Sequence, residues 1–149
     1  MANTFVQNYL HIIFHTKPKT TNLLSDDLPR VHQYLAGIVK NKGGKPVAVG
    51  GMLDHVHMLV SLPKTTALAD FVRVVKAESS RWLKTINPHY YGAFAWQEGY
   101  GAFSVSSSVL PKVVEYIRNQ QEHHKVRSFI DEYKEFLKAY NIDYDERYL

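Results

Sequence analysis

The sequence predicts an α+β fold of the ferredoxin-like kind, and three observations carry the prediction. Short runs of β-forming residues alternate with amphipathic helical stretches in the order β-α-β-β-α-β. Only Met52, Leu53 and Asp54 separate the second and third runs, a spacing that suits an antiparallel hairpin and is too short for a crossover. Two further helical stretches follow the last strand. Such an order implies one antiparallel β-sheet with helices packed mainly on one face.

The first strand is the apolar run Tyr9–His15, followed by a loop rich in Lys, Pro and Thr over 17–22. Ser25, Asp26 and Asp27 then offer capping oxygens and negative charge to the start of a helix. In that helix Leu28, Val31, Leu35, Ile38 and Val39 recur at helical spacing, and Gly43-Gly44 ends it. Residues 45–51 read as the second strand and 55–62 as the third, closed by Pro63. A helix over 67–85 carries Leu68, Phe71, Val72, Val75 and Leu83 on one face, basic residues elsewhere, and a break at Asn87-Pro88. The glycine-spaced aromatic stretch 94–105 predicts a bent or bulged fourth strand. Helices over 110–124 and 128–140 complete one domain spanning 1–149, with a tail over 141–149.

A chain of 149 residues can bury a full core, and its 45% hydrophobic and 21% charged content is that of a globular protein. No apolar run approaches the roughly 20 residues that cross a bilayer, so no membrane partner is expected. With no secretory leader pattern at the start and no cysteine, the expected location is cytoplasmic, without disulfides or thiolate metal sites. A net charge of +4 suits a polyanionic partner without requiring one.

His55 and His57 are two apart on the third strand, so both imidazoles leave the same, exposed face. The alternate residues Val56, Met58, Val60 and Leu62 would face the helices. Two neighbouring imidazoles suit a divalent cation, although a pair of surface histidines on a solvated strand has the same pattern and two ligands alone make a poor site. Asp54 could orient a histidine or cap the hairpin.

Further along, Tyr116 and Gln120 are four apart on a helix and share one face. An amide oxygen is a hard donor suited to Mg²⁺ or Mn²⁺, completing a set of two histidines and one amide. A phenol is a weak nucleophile at neutral pH until a nearby cation polarises its target. An ordinary half-buried helix tyrosine fits the local pattern equally.

Taken together, Asp54-His55-Val56-His57, Lys76-Ala-Glu-Ser-Ser-Arg81, Trp96-Gln-Glu-Gly-Tyr100 through Ser104-Val105, and Tyr116-Ile-Arg-Asn-Gln120 resemble the single-tyrosine transposases of the HUH superfamily found in small insertion sequences. REP-associated tyrosine transposases are their relatives. The resemblance runs in order from Tyr9 to about Gln120 and places the His-x-His on a central strand. It implies a homodimer acting on single-stranded DNA with hairpin ends. Tyr116 would attack a phosphodiester to leave a 5′-phosphotyrosine and a free 3′-hydroxyl, with a divalent cation on His55, His57 and Gln120. It further implies hairpin DNA on the sheet and the neighbouring basic helix, with Arg73, Lys76, Arg81 and Lys84 as phosphate contacts. The tyrosine could serve its own chain's histidines or a partner's, and His124, four beyond Gln120, could approach the DNA or the metal.

Three other readings compete. A relaxase or replication initiator shares the chemistry but usually carries additional domains. A non-catalytic nucleic-acid-binding sheet would present aromatics where His55 and His57 stand. A metal hydrolase using activated water would survive loss of the tyrosine.

Overall fold

The structure, a computed structural model, describes residues 4–120 and 127–149. Four strands, β1 (Tyr9–His15), β2 (Lys45–Met52), β3 (His55–Ser61) and β4 (Gly101–Ser104), form one sheet in the order β2-β3-β1-β4. Every pairing is antiparallel, and β1 and β3 are the central strands, as the ferredoxin-like pattern requires. The helices described are α1 (Leu28–Asn41), α2 (Leu68–Ile86), α3 (Pro88–Tyr91), α4 (Leu110–Arg118) and α5 (Phe129–Ala139).

Strand alternation sorts the side chains into two layers. Ile12 and Phe14 of β1 and Val56, Met58 and Val60 of β3 point to the face covered by α1 and α2. There they meet Val31, Leu35 and Val39 of α1 and Phe71, Val72 and Val75 of α2 in the main core. Each such side chain stabilises the fold by roughly 1.5–3 kcal/mol when fully buried. Ile13 and Phe103 point the other way, where Phe129, Tyr133 and Leu137 of α5 cover them. The close fit of α5 depends on Gly101, because a Cβ there would stand 2.8 Å from Cε1 of Tyr133.

The second face is where the structure departs from expectation. The His55–His57 face was expected to be exposed, yet both residues have 0% exposure because α5 lies over them. The expected bent strand over 94–105 is regular only over Gly101–Ser104; upstream of an interruption Trp96 bridges Thr16 and the Gln97 N–H donates to the His15 carbonyl of β1 at 2.8 Å. Between these two stretches the Lys76 Nζ donates to the carbonyls of Gln97 (2.8 Å) and Gly99 (2.5 Å) and fastens the loop. Asn87 ends α2 as expected, but its side chain also accepts from the Tyr90 N–H and so starts the one-turn α3. The helix expected over 110–124 is described as α4 and Gln120; His123 and His124 lie outside the described residues.

Candidate active site and metal centre

The site is built on β3 and on the two elements that press on its outer face. In the sheet, His57 stands between Gly50 of β2 and Ile13 of β1, and His55 between Met52 and His15. Gly50 decides what can approach: a Cβ there would lie 2.7 Å from the carbonyl oxygen of Ile117. With hydrogen in that place, α4 rests directly on β2 and carries Tyr116 and Gln120 to the histidines. From the other side α5 delivers Glu132, whose carboxylate is fully buried.

The sequence-nominated residues of the centre come together within one chain. His55 Nε2 lies 2.9 Å from Gln120 Oε1, and the rings of His57 and Tyr116 are 5.8 Å apart between centroids. Asp54 Oδ1 lies 2.7 Å from His55 Nδ1. Two participants carried no motif. Glu132 Oε1 lies 2.9 Å from His57 Nε2 and 3.8 Å from His55 Nε2, while its Oε2 accepts a hydrogen bond from the Tyr116 hydroxyl. His11 on β1 places Nε2 2.7 Å from His57 Nδ1. His11 could have been noticed from its spacing with Ile13 and His15 on one strand face; Glu132 had no local signal.

This donor set fits a small divalent cation. Asp54 can only accept from His55 Nδ1, which puts the His55 proton on Nδ1 and its Nε2 lone pair toward Gln120. Burial, and then the neighbouring His57, lower the His11 pKa to about 3, so His11 is neutral and its Nε2 shares a hydrogen bond with His57 Nδ1 at 2.7 Å. The His57 Nε2–H hydrogen-bonds Glu132 Oε1, and a cation replacing that proton would meet both Nε2 atoms, Gln120 Oε1 and Glu132 Oε1. Ligand atoms of His55, His57 and Glu132 all lie within 4.8 Å of one another. Cis ligands on an octahedral ion with bonds of 2.0–2.1 Å stand about 3 Å apart, close to the separations found. His55, His57 and Glu132 therefore form a group able to hold a metal ion.

Charge around the phenol is balanced by opposites. Burial and then the hydrogen bond and charge of Glu132 push the Tyr116 hydroxyl well above the ordinary phenol range, and Arg127 works in the other direction. Burial would raise the Glu132 carboxyl, but His57, Tyr116 and His55 hold it below the usual carboxylate range. Two openings flank this sealed centre. A cavity of about 510 Å³ reaches Gln120 between α1, β2 and α4, and one of about 240 Å³ lies against Tyr116, Arg127 and Phe136.

The four basic residues of α2 are not part of this constellation. Since α2 covers the opposite sheet face, Arg73, Arg81 and Lys84 are exposed on the far side of that layer. Arg73 pairs with Asp70 at 3.6 Å, and Lys76 is half-buried on the Gln97 and Gly99 carbonyls.

The antiparallel sheet with its packed helices has the fold of a solved transposase structure, which defines the class of protein. The model for the family described as "Transposase IS200 like" matches residues 4–120, and the chain belongs to that family, whose members are enzymes acting on DNA. Among curated relatives, ISDra2 transposase TnpA of Deinococcus radiodurans is 26% identical over 116 residues, covering 75% of this chain and 83% of its own length. The crystal structure of a protein from Deinococcus radiodurans R1 described as a transposase superposes with a TM-score of 0.63 at 26% identity, covering 80% of this chain and 95% of that one. The structure of a REP-associated tyrosine transposase bound to a REP hairpin superposes with a TM-score of 0.59 at 12% identity, covering 83% and 73% respectively, a likeness of fold. Among the described residues no helix is long and apolar enough to cross a membrane.

Proposed function

We propose that this transposase cleaves and rejoins single-stranded DNA at the ends of a mobile element through a covalent 5′-phosphotyrosine on Tyr116. The observation that carries the reading is the continuous path from the Tyr116 hydroxyl through Glu132 to His57 and His55, closed by Gln120, all within one protomer. His55, His57 and Gln120, joined by Glu132, would hold Mg²⁺ or Mn²⁺, which when bound supplies Lewis-acid polarisation of the scissile phosphate. Asp54 and His11 orient the imidazoles so that both Nε2 atoms face the centre. Tyr116 attacks phosphorus and the 3′-oxygen leaves. The phosphotyrosine conserves a phosphoester bond, so a later 3′-hydroxyl can reverse the exchange without an external energy source.

For DNA to enter, α5 must shift enough for a phosphate to approach the phenol, and the cavity beside Tyr116 is the nearer entrance. The substrate is single-stranded DNA carrying a hairpin, a reading supported by the similarly folded REP-associated tyrosine transposase bound to a REP hairpin, and the working unit is a homodimer. Arg73, Arg81 and Lys84 serve as phosphate contacts for the duplex stem, while Lys76 chiefly fastens the loop before β4.

The complete burial of His55 and His57 favours one other reading, hairpin binding without cleavage. Denaturing-gel capture separates the two. With Mg²⁺ or Mn²⁺ and an oligonucleotide bearing the DNA that flanks its own gene, the wild-type chain should form a covalent adduct. Tyr116→Phe should bind that oligonucleotide normally and form none. Adduct persisting in Tyr116→Phe would mean another nucleophile; binding without adduct in the wild type would leave the binding-only reading.

A further inference from the structure

Any reaction at Tyr116 places negative charge on its oxygen twice, once as the phenol attacks and once as phenolate leaves during rejoining. Glu132 Oε2 is in contact with that oxygen and carries charge of the same sign. Arg127 supplies the opposite: its Nη2 donates to the Tyr116 oxygen at 3.1 Å. The guanidinium is held for this task. Nη1 pairs with Glu135, Nη2 lies 4.0 Å from Glu132 Oε2, and the side chain is 28% exposed, so water screens it only in part. Its backbone position is set by α5, since the next residue, Ser128, caps that helix by accepting from the Asp131 N–H. Tyr116 and Arg127 together line the 240 Å³ cavity through which a phosphodiester would approach.

We propose that Arg127 is a catalytic residue of the strand-transfer reaction, its guanidinium stabilising the Tyr116 oxygen as nucleophile and as leaving group. The inference rests on Tyr116 being the nucleophile. In cleavage the Oη–P bond forms as P–O3′ breaks. The phenol gives its proton to water as it attacks, and the departing 3′-oxygen takes a proton from water. In rejoining, an incoming 3′-hydroxyl gives its proton to water and forms P–O3′ as P–Oη breaks, and the departing Tyr116 oxygen takes a proton from water. Both directions develop charge on the same oxygen, so one fixed cation assists both; its influence on the phenol is already opposite to that of Glu132. Donors aimed at developing oxyanions are typically worth about 10²–10³ in rate.

Arg127→Ala should therefore slow both adduct formation and rejoining by about 10²–10³-fold, with oligonucleotide affinity changed by no more than a few-fold. Added guanidinium chloride at low millimolar concentration should restore part of the rate in Arg127→Ala and none in the wild type, which a merely structural role of Arg127 would not produce. Should Arg127→Ala fail to fold, Arg127→Gln, which keeps the apolar stem and a donor but is shorter and uncharged, gives the same comparison. A folded variant that cleaves within a few-fold of the wild-type rate, or whose loss is not rescued by guanidinium, overturns the proposal. A wild-type chain that forms no adduct fails the strand-transfer reading itself; adduct formed equally well without Arg127 fails only this inference.

Discussion

Glu132 reaches His57 with one oxygen and Tyr116 with the other, so ligand geometry and nucleophile position are coupled through a single carboxylate. His55 and His57 are fixed from behind by Asp54 and His11, and such outer partners typically account for about 10–100-fold in metal affinity. By calorimetry with Mn²⁺, His57→Ala and Gln120→Ala should each weaken binding at least as much as Asp54→Ala does. Unchanged affinity in both would remove the proposed ligands. His32 on α1 makes a different prediction at this scale. Burial, and then His55, lower its pKa from 6.5 to about 4, and its Nε2 is buried without a hydrogen-bond partner among the described residues. The unfolded chain therefore binds the His32 proton more readily, and its contribution to stability is fully present above about pH 6.5 and lost as pH falls toward 4. The loss should be on the order of 2–3 kcal/mol. Urea titrations at pH 7 and pH 4.5 should show it, and His32→Leu should reduce the slope between them; an identical slope would assign the acid sensitivity elsewhere.

At the scale of elements, the distance between β2 and α4 governs where the phenol stands. Gly50 permits that approach, and a methyl group there would meet the Ile117 carbonyl at 2.7 Å, a backbone atom that cannot turn aside. Gly50→Ala should displace α4 while leaving β3 and its histidines paired in the sheet. The expected signature is a stability loss of about 1–3 kcal/mol, with adduct formation reduced by up to about 10²-fold because the nucleophile is misplaced. Melting temperature and single-turnover cleavage read the two effects separately, and a wild-type cleavage rate would show that α4 tolerates the shift. The helices themselves were largely legible from spacing: α1, α2 and α5 lie within a residue or two of the expected bounds. The fourth strand was legible as a bent stretch, but the place of its interruption, where a lysine 21 residues upstream takes the Gln97 carbonyl, has no local signal.

Across the whole molecule, the basic residues of α2 and the histidine cluster belong to opposite layers, separated by the sheet. Hairpin binding along Arg73, Arg81 and Lys84 would thus be distinct from cleavage at Tyr116. Replacing all three by Gln should weaken binding of the gene-flanking hairpin oligonucleotide and reduce the slope of log affinity against log salt. A decrease of about 0.7–0.9 per lost phosphate contact is expected. Filter binding from 50 to 200 mM salt measures it, and an unaltered slope would move the stem to another surface.

The sequence by itself determined what depends on near neighbours. Two-residue spacing aligned His55 with His57, four-residue spacing aligned Tyr116 with Gln120, and alternating patterns ordered the strands, because side-chain direction follows local backbone geometry. Only the tertiary structure decided what depends on chain closure. His11 meets His57 across 46 residues and Glu132 meets it across 75, and α5 folds back to bury a strand face that its own composition left open. No periodicity encodes such meetings: they arise when β1 pairs with β3 and when Gly50 and Gly101 let α4 and α5 settle against the sheet.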